Sequence, residues 1–199
     1  MKLILPYFII LLFLLQFYLK KNSKKTGSDN ENFLKRESRA NMSRKKDISK
    51  LNYITIPDTL PFVETDVETI KKAQHDISDL KEKKILNLTG MSNTDLKIEY
   101  GVANLSALSE YDENFSKLCR AIVRLSTALR ENGFDEQAQA FLEFGIKCGS
   151  DVSANYFMLA EYYLDKGDTK GLSRLKTSAE ALNSMSKNII LKKLETLTP

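Results

Sequence analysis

Residues 119–150 read CRAIVRLSTALRENGFDEQAQAFLEFGIKCGS and residues 153–184 read SANYFMLAEYYLDKGDTKGLSRLKTSAEALNS, and the two segments carry one pattern at a spacing of 34 residues. In each copy a large apolar residue is followed by a small residue, a second large apolar residue and a turn glycine. The matched positions are Leu125 and Leu159, Ser126 and Ala160, Leu129 and Tyr163, and Gly133 and Gly167. A period of this length is typical of stacked helix-turn-helix units. The sequence therefore predicts an all-α fold, a short α-solenoid of antiparallel helix pairs.

These positions give the chain a resemblance to the tetratricopeptide-repeat family. The first copy also holds the small-large-small set of that family's second helix, at Ala138, Leu142 and Gly145. The second copy departs from it, because Leu172 and Lys176 stand where that set is expected. The resemblance implies a helical fold that presents a concave surface to a peptide or protein.

Helices are also predicted on both sides of the repeats, so that the TPR-like domain covers residues 65–199. Thr65 and Glu68 have capping-box spacing, which predicts the start of the first helix. The second helix is predicted over residues 95–108. Gly101 inside it costs up to about 1 kcal/mol relative to Ala, so we expect a neighbouring backbone to approach closely there. The later helices are predicted to begin at Glu113, Asp135, Ser153, Asp168 and Lys187.

The N-terminal run Leu3–Leu19, LILPYFIILLFLLQFYL, has 17 residues without a charge. As a helix it would span roughly 25 Å, at the short end of what crosses a bilayer. Tyr7 and Tyr18 near its edges match the aromatic belt of membrane helices. A cleavable secretory signal is the alternative, but its small-residue site would come only at Thr26, after four lysines. The sequence predicts an uncleaved transmembrane anchor over residues 1–19.

Basic residues follow this anchor more densely than they precede it, since only Lys2 comes before the run. The positive-inside rule then predicts a single-pass protein of the plasma membrane, with its N-terminus outside and its helical domain in the cytoplasm. Basic residues beside an anionic inner surface contribute about 1 kcal/mol each. The candidates for this lipid contact are Lys20, Lys21, Lys24 and Lys25.

Two segments connect the anchor to the helical domain. Residues 20–50 are charged and lack a helical or alternating period, which predicts a basic disordered linker. Residues 51–64 alternate briefly but contain Pro57 and Pro61, so we expect an extended segment that lies on the first helix.

The charge distribution argues against nucleic acid as a partner. Residues 1–50 hold 12 Lys/Arg and 4 Asp/Glu, whereas residues 51–199 hold 18 and 22. A nucleic-acid-binding domain carries its basic face on its folded part. Here the basic residues concentrate outside the predicted helical domain.

The sequence predicts neither a catalytic residue nor a cofactor or metal site, and therefore no enzyme. Cys119 and Cys148 are too few for a disulfide framework and have no neighbours at metal-ligand spacing, so they are expected to be free thiols. His75 has no positioned partner for acid-base chemistry. No glycine-rich phosphate loop occurs in the chain.

Arg120 and Arg124 are like charges four residues apart, with no acid at helical spacing beside them. Either an acid on an adjacent helix such as Glu161 pairs with them, or they await a carboxylate or phosphate of a partner. Helices in these positions line the binding groove in the family that the chain resembles. The predicted partner-binding residues are Arg120, Arg124, Thr127, Phe157, Met158 and Glu161.

The sequence thus predicts a membrane-anchored protein-protein interaction module or scaffold. The alternative is a structural subunit of a membrane complex, which packs through its anchor and has no catalytic role. Removal of residues 1–25 separates the two hypotheses. An adaptor keeps a soluble partner after this removal, whereas an intramembrane subunit loses it.

Overall fold

The computed structural model describes residues 4–197, and their side chains except at 4–6, 8–9 and 19–29. Residues 4–197 contain helices and no strand, which confirms the all-α class. The α-helices are α1 (Ile4–Asn41), α2 (Glu68–Ser78), α3 (Asn93–Tyr100), α4 (Leu105–Glu131), α5 (Asp135–Lys147), α6 (Ser153–Asp165), α7 (Thr169–Glu180) and α8 (Lys187–Leu197). A short 3-10 helix, Val102–Asn104, precedes α4.

The chain divides into two compact units. Unit 1 comprises Met1–Lys46 and Ser92–Leu105, and unit 2 comprises Asp47–Met91 and Ser106–Pro199. The predicted boundary at residue 50 lies close to the first of these divisions. The assignment of residues 92–105 to unit 1 was not predicted, because the sequence places them inside one continuous helical domain.

Helix α1 extends through much of the predicted disordered linker. The sequence predicts irregular chain over residues 20–50, whereas the structure continues the helix to Asn41. Adding residues to an existing helix is far more favourable than nucleating a new one, so a charged segment can continue a helix without an apolar period of its own. The ion pair between Lys35 Nζ and Glu31 Oε1, 2.6 Å apart at i,i+4 spacing, adds a small stabilisation.

The first part of α1 is apolar and exposed. The side chains from Ile10 to Leu15 are between 42% and 69% exposed, although six consecutive positions cover every side of a helix. Among the described residues, no helix is long and apolar enough to cross a membrane. The predicted anchor Leu3–Leu19 lies partly outside the residues whose side chains are described.

In unit 1 the C-terminal part of α1 packs against α3. Ala40 and Leu96 are buried. The carboxylate of Glu37 accepts a hydrogen bond from Thr94 Oγ1 at 2.6 Å and pairs with Lys97. The hydrogen bond from Lys97 is the largest of the contacts that lower the pKa of Glu37. Polar and apolar contacts together therefore hold α3 on the last turns of α1.

Gly101 separates α3 from the 3-10 helix that follows it. Its φ is +89°, a conformation that favours glycine. A Cβ atom at this position would overlap the backbone of Arg44. The predicted close backbone approach at Gly101 is confirmed, but the prediction of one helix over residues 95–108 is wrong, because the chain breaks at this glycine.

The core of unit 2 consists of two clusters of buried side chains. The first is formed mainly by α2, α4 and α5, and the second by α6, α7 and α8. The predicted extended segment 51–64 has neither helix nor strand, and its side chains Ile54 and Phe62 pack on the first cluster. The apolar stripe on α4 is buried, at Phe115, Leu118, Cys119, Ile122, Leu125 and Leu129.

The turns that end α4 and α6 have the same geometry at a spacing of 34 residues. The Phe134 N–H donates to the Leu129 carbonyl at 2.9 Å, and the Asp168 N–H donates to the Tyr163 carbonyl at 2.8 Å. Gly133 and Gly167 have φ of +78° and +65°. The glycines at equivalent positions therefore serve the same turn in both copies.

Candidate partner-binding groove

An open groove in unit 2 runs between α2 and the outer face of α4, and we refer to it as the α2–α4 groove. Its apolar end has a volume of about 430 Å³ and includes Ala73, Val123 and Ala128. Its basic end has a volume of about 460 Å³. The two ends adjoin at Lys72, Asp76 and Arg124, which line both of them.

The helical periodicity of α2 and α4 explains the groove. One face of α2 is buried through Ile70, Ala73 and Ile77, which leaves its polar residues along the rim. Side chains three or four residues apart share a helix face, so each wall of the groove is a stripe at that spacing. The alanines on the floor are small, which leaves depth between the longer side chains. The walls are formed by Thr69, Lys72 and Asp76 on α2 and by Arg120, Arg124, Thr127 and Glu131 on α4.

Arg124 pairs with Asp76 on α2. Its Nη2 atom lies 2.7 Å from Asp76 Oδ2, across the groove. The two side chains are 62% and 38% exposed. Exposed ion pairs contribute only about 0 to 1 kcal/mol to stability. A competing carboxylate can therefore replace Asp76 at little cost.

Arg120 projects from the same wall without such a partner. Within the part of the chain whose side chains are described, no carboxylate oxygen lies within 4.0 Å of its guanidinium. The nearby Glu113 is bonded to Lys117 at 2.9 Å. That hydrogen bond is the main cause that lowers the pKa of Glu113, and the charge of Arg120 contributes less. Arg120 is thus available to an external anion.

The structure brings Thr127 of α4 next to Met158 of α6. The distance from Thr127 Oγ1 to Met158 Sδ is 3.7 Å, while the same hydroxyl donates to the Val123 carbonyl at 2.9 Å. Met158 and Phe157 are half-buried and pack on the second core cluster. The predicted residues Thr127 and Met158 therefore form one surface, and Phe157 packs on the same core cluster as Met158.

Glu161 does not pair with the two arginines that define the groove. Its Oε2 atom accepts from Arg130 Nη1 at 2.9 Å, and Arg130 Nη2 also lies 3.6 Å from Asp165 Oδ2. Arg124 therefore pairs with an acid on an adjacent helix, which was one of the two alternatives. The acid is Asp76 and not Glu161. Glu161 belongs to a separate ion-pair network between α4 and α6.

Sequence reasoning missed the contribution of α2 to this site. Lys72 and Asp76 share one face of α2 at i,i+4 spacing, which is visible in the sequence. The pairing of that face with α4 is a contact between residues far apart in the chain, since Asp76 and Arg124 are separated by 48 positions. Helical period alone carries no information on which helix lies opposite.

The thiols and the histidine add no reactive group to the groove. Burial raises the pKa of Cys119 to about 12 and that of Cys148 to about 11. Both thiols therefore stay protonated at neutral pH, and the nucleophilic form of cysteine is the thiolate. His75 lies on an exposed part of α2, with its Nδ1 atom 3.1 Å from Asp79 Oδ1.

No match to the chain is found among models of protein families, curated proteins or solved structures.

Proposed function

We propose that the protein is a membrane-tethered interaction module that binds a segment of a partner protein in the α2–α4 groove. The observation that carries this proposal is the groove itself, an apolar floor that continues into a basic end. The floor offers contact area for an apolar side chain, and Arg120 offers an unpaired cation beside it. Open grooves between helices are a common site for peptide segments.

We further propose that α4 to α7 form two TPR-like repeats, α4–α5 and α6–α7. The repeated turn hydrogen bonds and the repeated turn glycines support this proposal, because both occur at the spacing of the sequence repeat. Ser126 also supports it. Its hydroxyl donates to the Ala138 carbonyl of α5 at 3.3 Å, which allows close packing of α4 and α5 within the first TPR-like repeat. In that case α4 is the first helix of the first TPR-like repeat, and α2, the other wall of the α2–α4 groove, precedes both repeats.

The membrane attachment is proposed from the exposed apolar part of α1. Apolar side chains on every side of one helix are costly in water at roughly 25 cal/mol per Å² of exposed area. A bilayer removes that cost on all sides at once, whereas a single protein surface covers one face only. The basic residues Lys20, Lys21, Lys24 and Lys25 that follow favour a cytoplasmic position for unit 2, with the N-terminus outside.

Charging the apolar part of α1 should release the protein from membranes. We expect the wild-type protein to stay with the membrane pellet after alkaline carbonate washing of cell membranes. Leu11→Lys combined with Leu14→Lys should move most of it to the supernatant, because each lysine costs about 3 kcal/mol near the centre of a bilayer-spanning helix.

The matched control lies on the same helix. Phe33→Lys combined with Leu34→Lys adds the same charge at exposed apolar positions outside the run, and this variant should remain in the pellet. A wild-type protein that washes off the membranes, or two variants that behave alike, would contradict the membrane attachment. Protease added to intact cells should spare unit 2 if the proposed orientation is correct.

The groove is tested by a photo-cross-linker placed on its rim. A benzoylphenylalanine at Thr127 should cross-link to a discrete partner in cells, because Thr127 is exposed above the apolar end. Combining this probe with Arg120→Glu and Arg124→Glu should remove the cross-linked product. Each glutamate reverses a charge on the groove wall. Arg124→Glu also places a second carboxylate next to that of Asp76.

The control variant must have the same change in charge elsewhere on unit 2. Lys192→Glu combined with Lys193→Glu on α8 meets this requirement, since both lysines are exposed and lie outside the groove. The cross-link should persist in that variant, and circular dichroism should show equal helix content in both. Failure to cross-link at Thr127 would overturn the groove as a binding site. A partner lost on deletion of residues 1–25 but unaffected by the arginine changes would favour the structural-subunit alternative.

A further inference from the structure

We infer that the segment bound in the α2–α4 groove is acidic and carries an apolar side chain next to its carboxylates. This inference rests on the proposed function and adds the chemistry of the ligand. Its first support is the imbalance of charge at the basic end. Five basic side chains line that end, against the two carboxylates of Asp76 and Asp79. The basic residues are Lys72, Lys83, Lys117, Arg120 and Arg124.

Most of this positive charge is not compensated within unit 2. Of the five basic groups, Arg124 pairs with Asp76 and Lys117 pairs with Glu113. For Lys72, Lys83 and Arg120, no carboxylate oxygen lies within 4.0 Å among the described side chains. Residues 51–199 together carry more acidic than basic groups, so a local basic cluster in this part of the chain runs against its average. Ligand carboxylates supply the missing charge.

The apolar end of the groove determines which other side chain the ligand carries beside its carboxylates. Ala73, Val123 and Ala128 form its floor, and Thr127 turns its hydroxyl toward the Val123 carbonyl. Its volume of about 430 Å³ accommodates a large aliphatic or aromatic side chain. Because this end adjoins the basic end at Lys72, Asp76 and Arg124, one segment that passes over the pair between Asp76 and Arg124 reaches both ends.

A peptide fits this surface better than a nucleic acid does. Proteins that hold single strands stack bases on aromatic side chains along a basic track. Neither end of the groove is lined by an aromatic residue among the described side chains. Asp76 and Asp79 would also repel a continuous row of phosphates. Separate carboxylates on a peptide can engage the arginines and lysines while avoiding the two acids.

The inference is tested by fluorescence anisotropy on the full chain in a non-ionic detergent. The probe is a labelled synthetic peptide in which glutamates flank a single leucine. We expect saturable binding that weakens as salt is added, because exposed charges are screened. The matched peptides replace either the glutamates with lysines or the leucine with serine. Each should bind at least about tenfold more weakly, which corresponds to about 1.4 kcal/mol.

Variants identify the groove as the place of binding. Lys83→Gln combined with Arg120→Gln removes two of the uncompensated charges without touching the pair between Arg124 and Asp76, so it should weaken peptide binding about tenfold. Lys192→Gln combined with Lys193→Gln should leave binding unchanged. The inference is overturned if the lysine peptide binds equally well, if both variants behave alike, or if oligothymidine binds more tightly than the acidic peptide with the same dependence on Arg120.

The two proposals fail in different ways. A cross-link at Thr127 that depends on the arginines, together with no binding of the acidic peptide, would reject the acidic ligand and keep the groove as a protein-binding site. Absence of any groove-dependent cross-link would reject the proposed function. Acidic-peptide binding that survives the changes at Lys83 and Arg120 would place the peptide elsewhere and reject the inference.

Discussion

Leu125→Ala and Leu159→Ala should each lower the free energy of unfolding of unit 2 by about 2 to 5 kcal/mol. Leu125 is 0% exposed and Leu159 is 1% exposed, so each truncation removes buried side-chain contacts and leaves a cavity. Leu125 lies in the first core cluster and Leu159 in the second. Because neighbouring helices share these clusters, we expect each change to shift one common transition in urea, followed by far-ultraviolet circular dichroism.

The control for these truncations is an aliphatic side chain on the surface of the same unit. Ile189 on α8 is 63% exposed, and Ile189→Ala should change the stability by no more than about 0.5 kcal/mol. Two separate transitions, of which each variant shifts only one, would show that the two clusters unfold independently. A loss below about 1 kcal/mol for both leucines would contradict the packing described for them.

The helices with complete local signals could be predicted from the sequence. Helices α5, α6 and α8 begin at Asp135, Ser153 and Lys187 as predicted, because an apolar stripe of period three to four follows Asp135 and Lys187 and a nearly continuous apolar run follows Ser153. Gly133 and Gly167 end their helices with positive φ, as expected of glycines that follow a helical stripe. In these segments the local pattern and the packing agree.

The start of α4 could not be predicted, because polar side chains that resemble start signals serve another purpose. The helix begins at Leu105, before the predicted start. Asp112 Oδ1 accepts a hydrogen bond from the Leu88 N–H at 3.1 Å, and Asn114 Nδ2 donates to the Lys84 carbonyl at 3.1 Å. These side chains satisfy the backbone of the segment that follows α2. Such a role depends on residues distant in sequence, so it cannot be predicted from the residues next to the helix start.

The predicted capping box of α2 does not form. Thr65 Oγ1 accepts a hydrogen bond from the Val67 N–H at 3.2 Å, which stabilises a turn before the helix. Helix α2 then begins at Glu68, after Val67 and without a side-chain cap. Threonine favours such local turns as readily as helix caps, so the spacing of Thr65 and Glu68 was compatible with both structures. The apolar residues Ile70, Ala73 and Ile77 recur at helical spacing in the sequence, and they form the buried face of α2.

Only one wall of the candidate site could be predicted from the sequence. The stripe of Arg120, Arg124 and Thr127 follows from the helical period of α4, and the structure places all three on the wall of the α2–α4 groove. The opposite wall depends on which helix packs beside α4. Asp76 neutralises Arg124 only because α2 lies there, and helical periodicity does not specify that contact. The unpaired state of Arg120 follows from the same packing.

Gly101→Ala should be the most damaging single change in unit 1. An alanine at φ +89° has a strained backbone, which costs about 1 to 3 kcal/mol. Its Cβ atom would also overlap the backbone of Arg44, and relieving that overlap costs a further 1 to 3 kcal/mol or so. The Lys46 N–H donates to the Tyr100 carbonyl at 3.0 Å beside this contact. Hydrogen exchange of the Lys46 amide should therefore accelerate strongly in the variant.

Gly133→Ala is the comparison variant for this prediction. Gly133 has a positive φ of +78°, but beyond its two chain neighbours a Cβ atom at this position would meet open space. This variant should show the backbone strain alone, about 1 to 3 kcal/mol, in the exchange of amides at the end of α4. Gly101 combines its φ of +89° with a ψ of 145°, so the excess loss at Gly101 contains additional backbone strain as well as the overlap with residues 44–46. Equal losses at the two glycines would mean that the chain around Arg44 moves aside, and that α1 and α3 are held together by the contacts of Glu37 and Ala40 rather than by this close backbone approach.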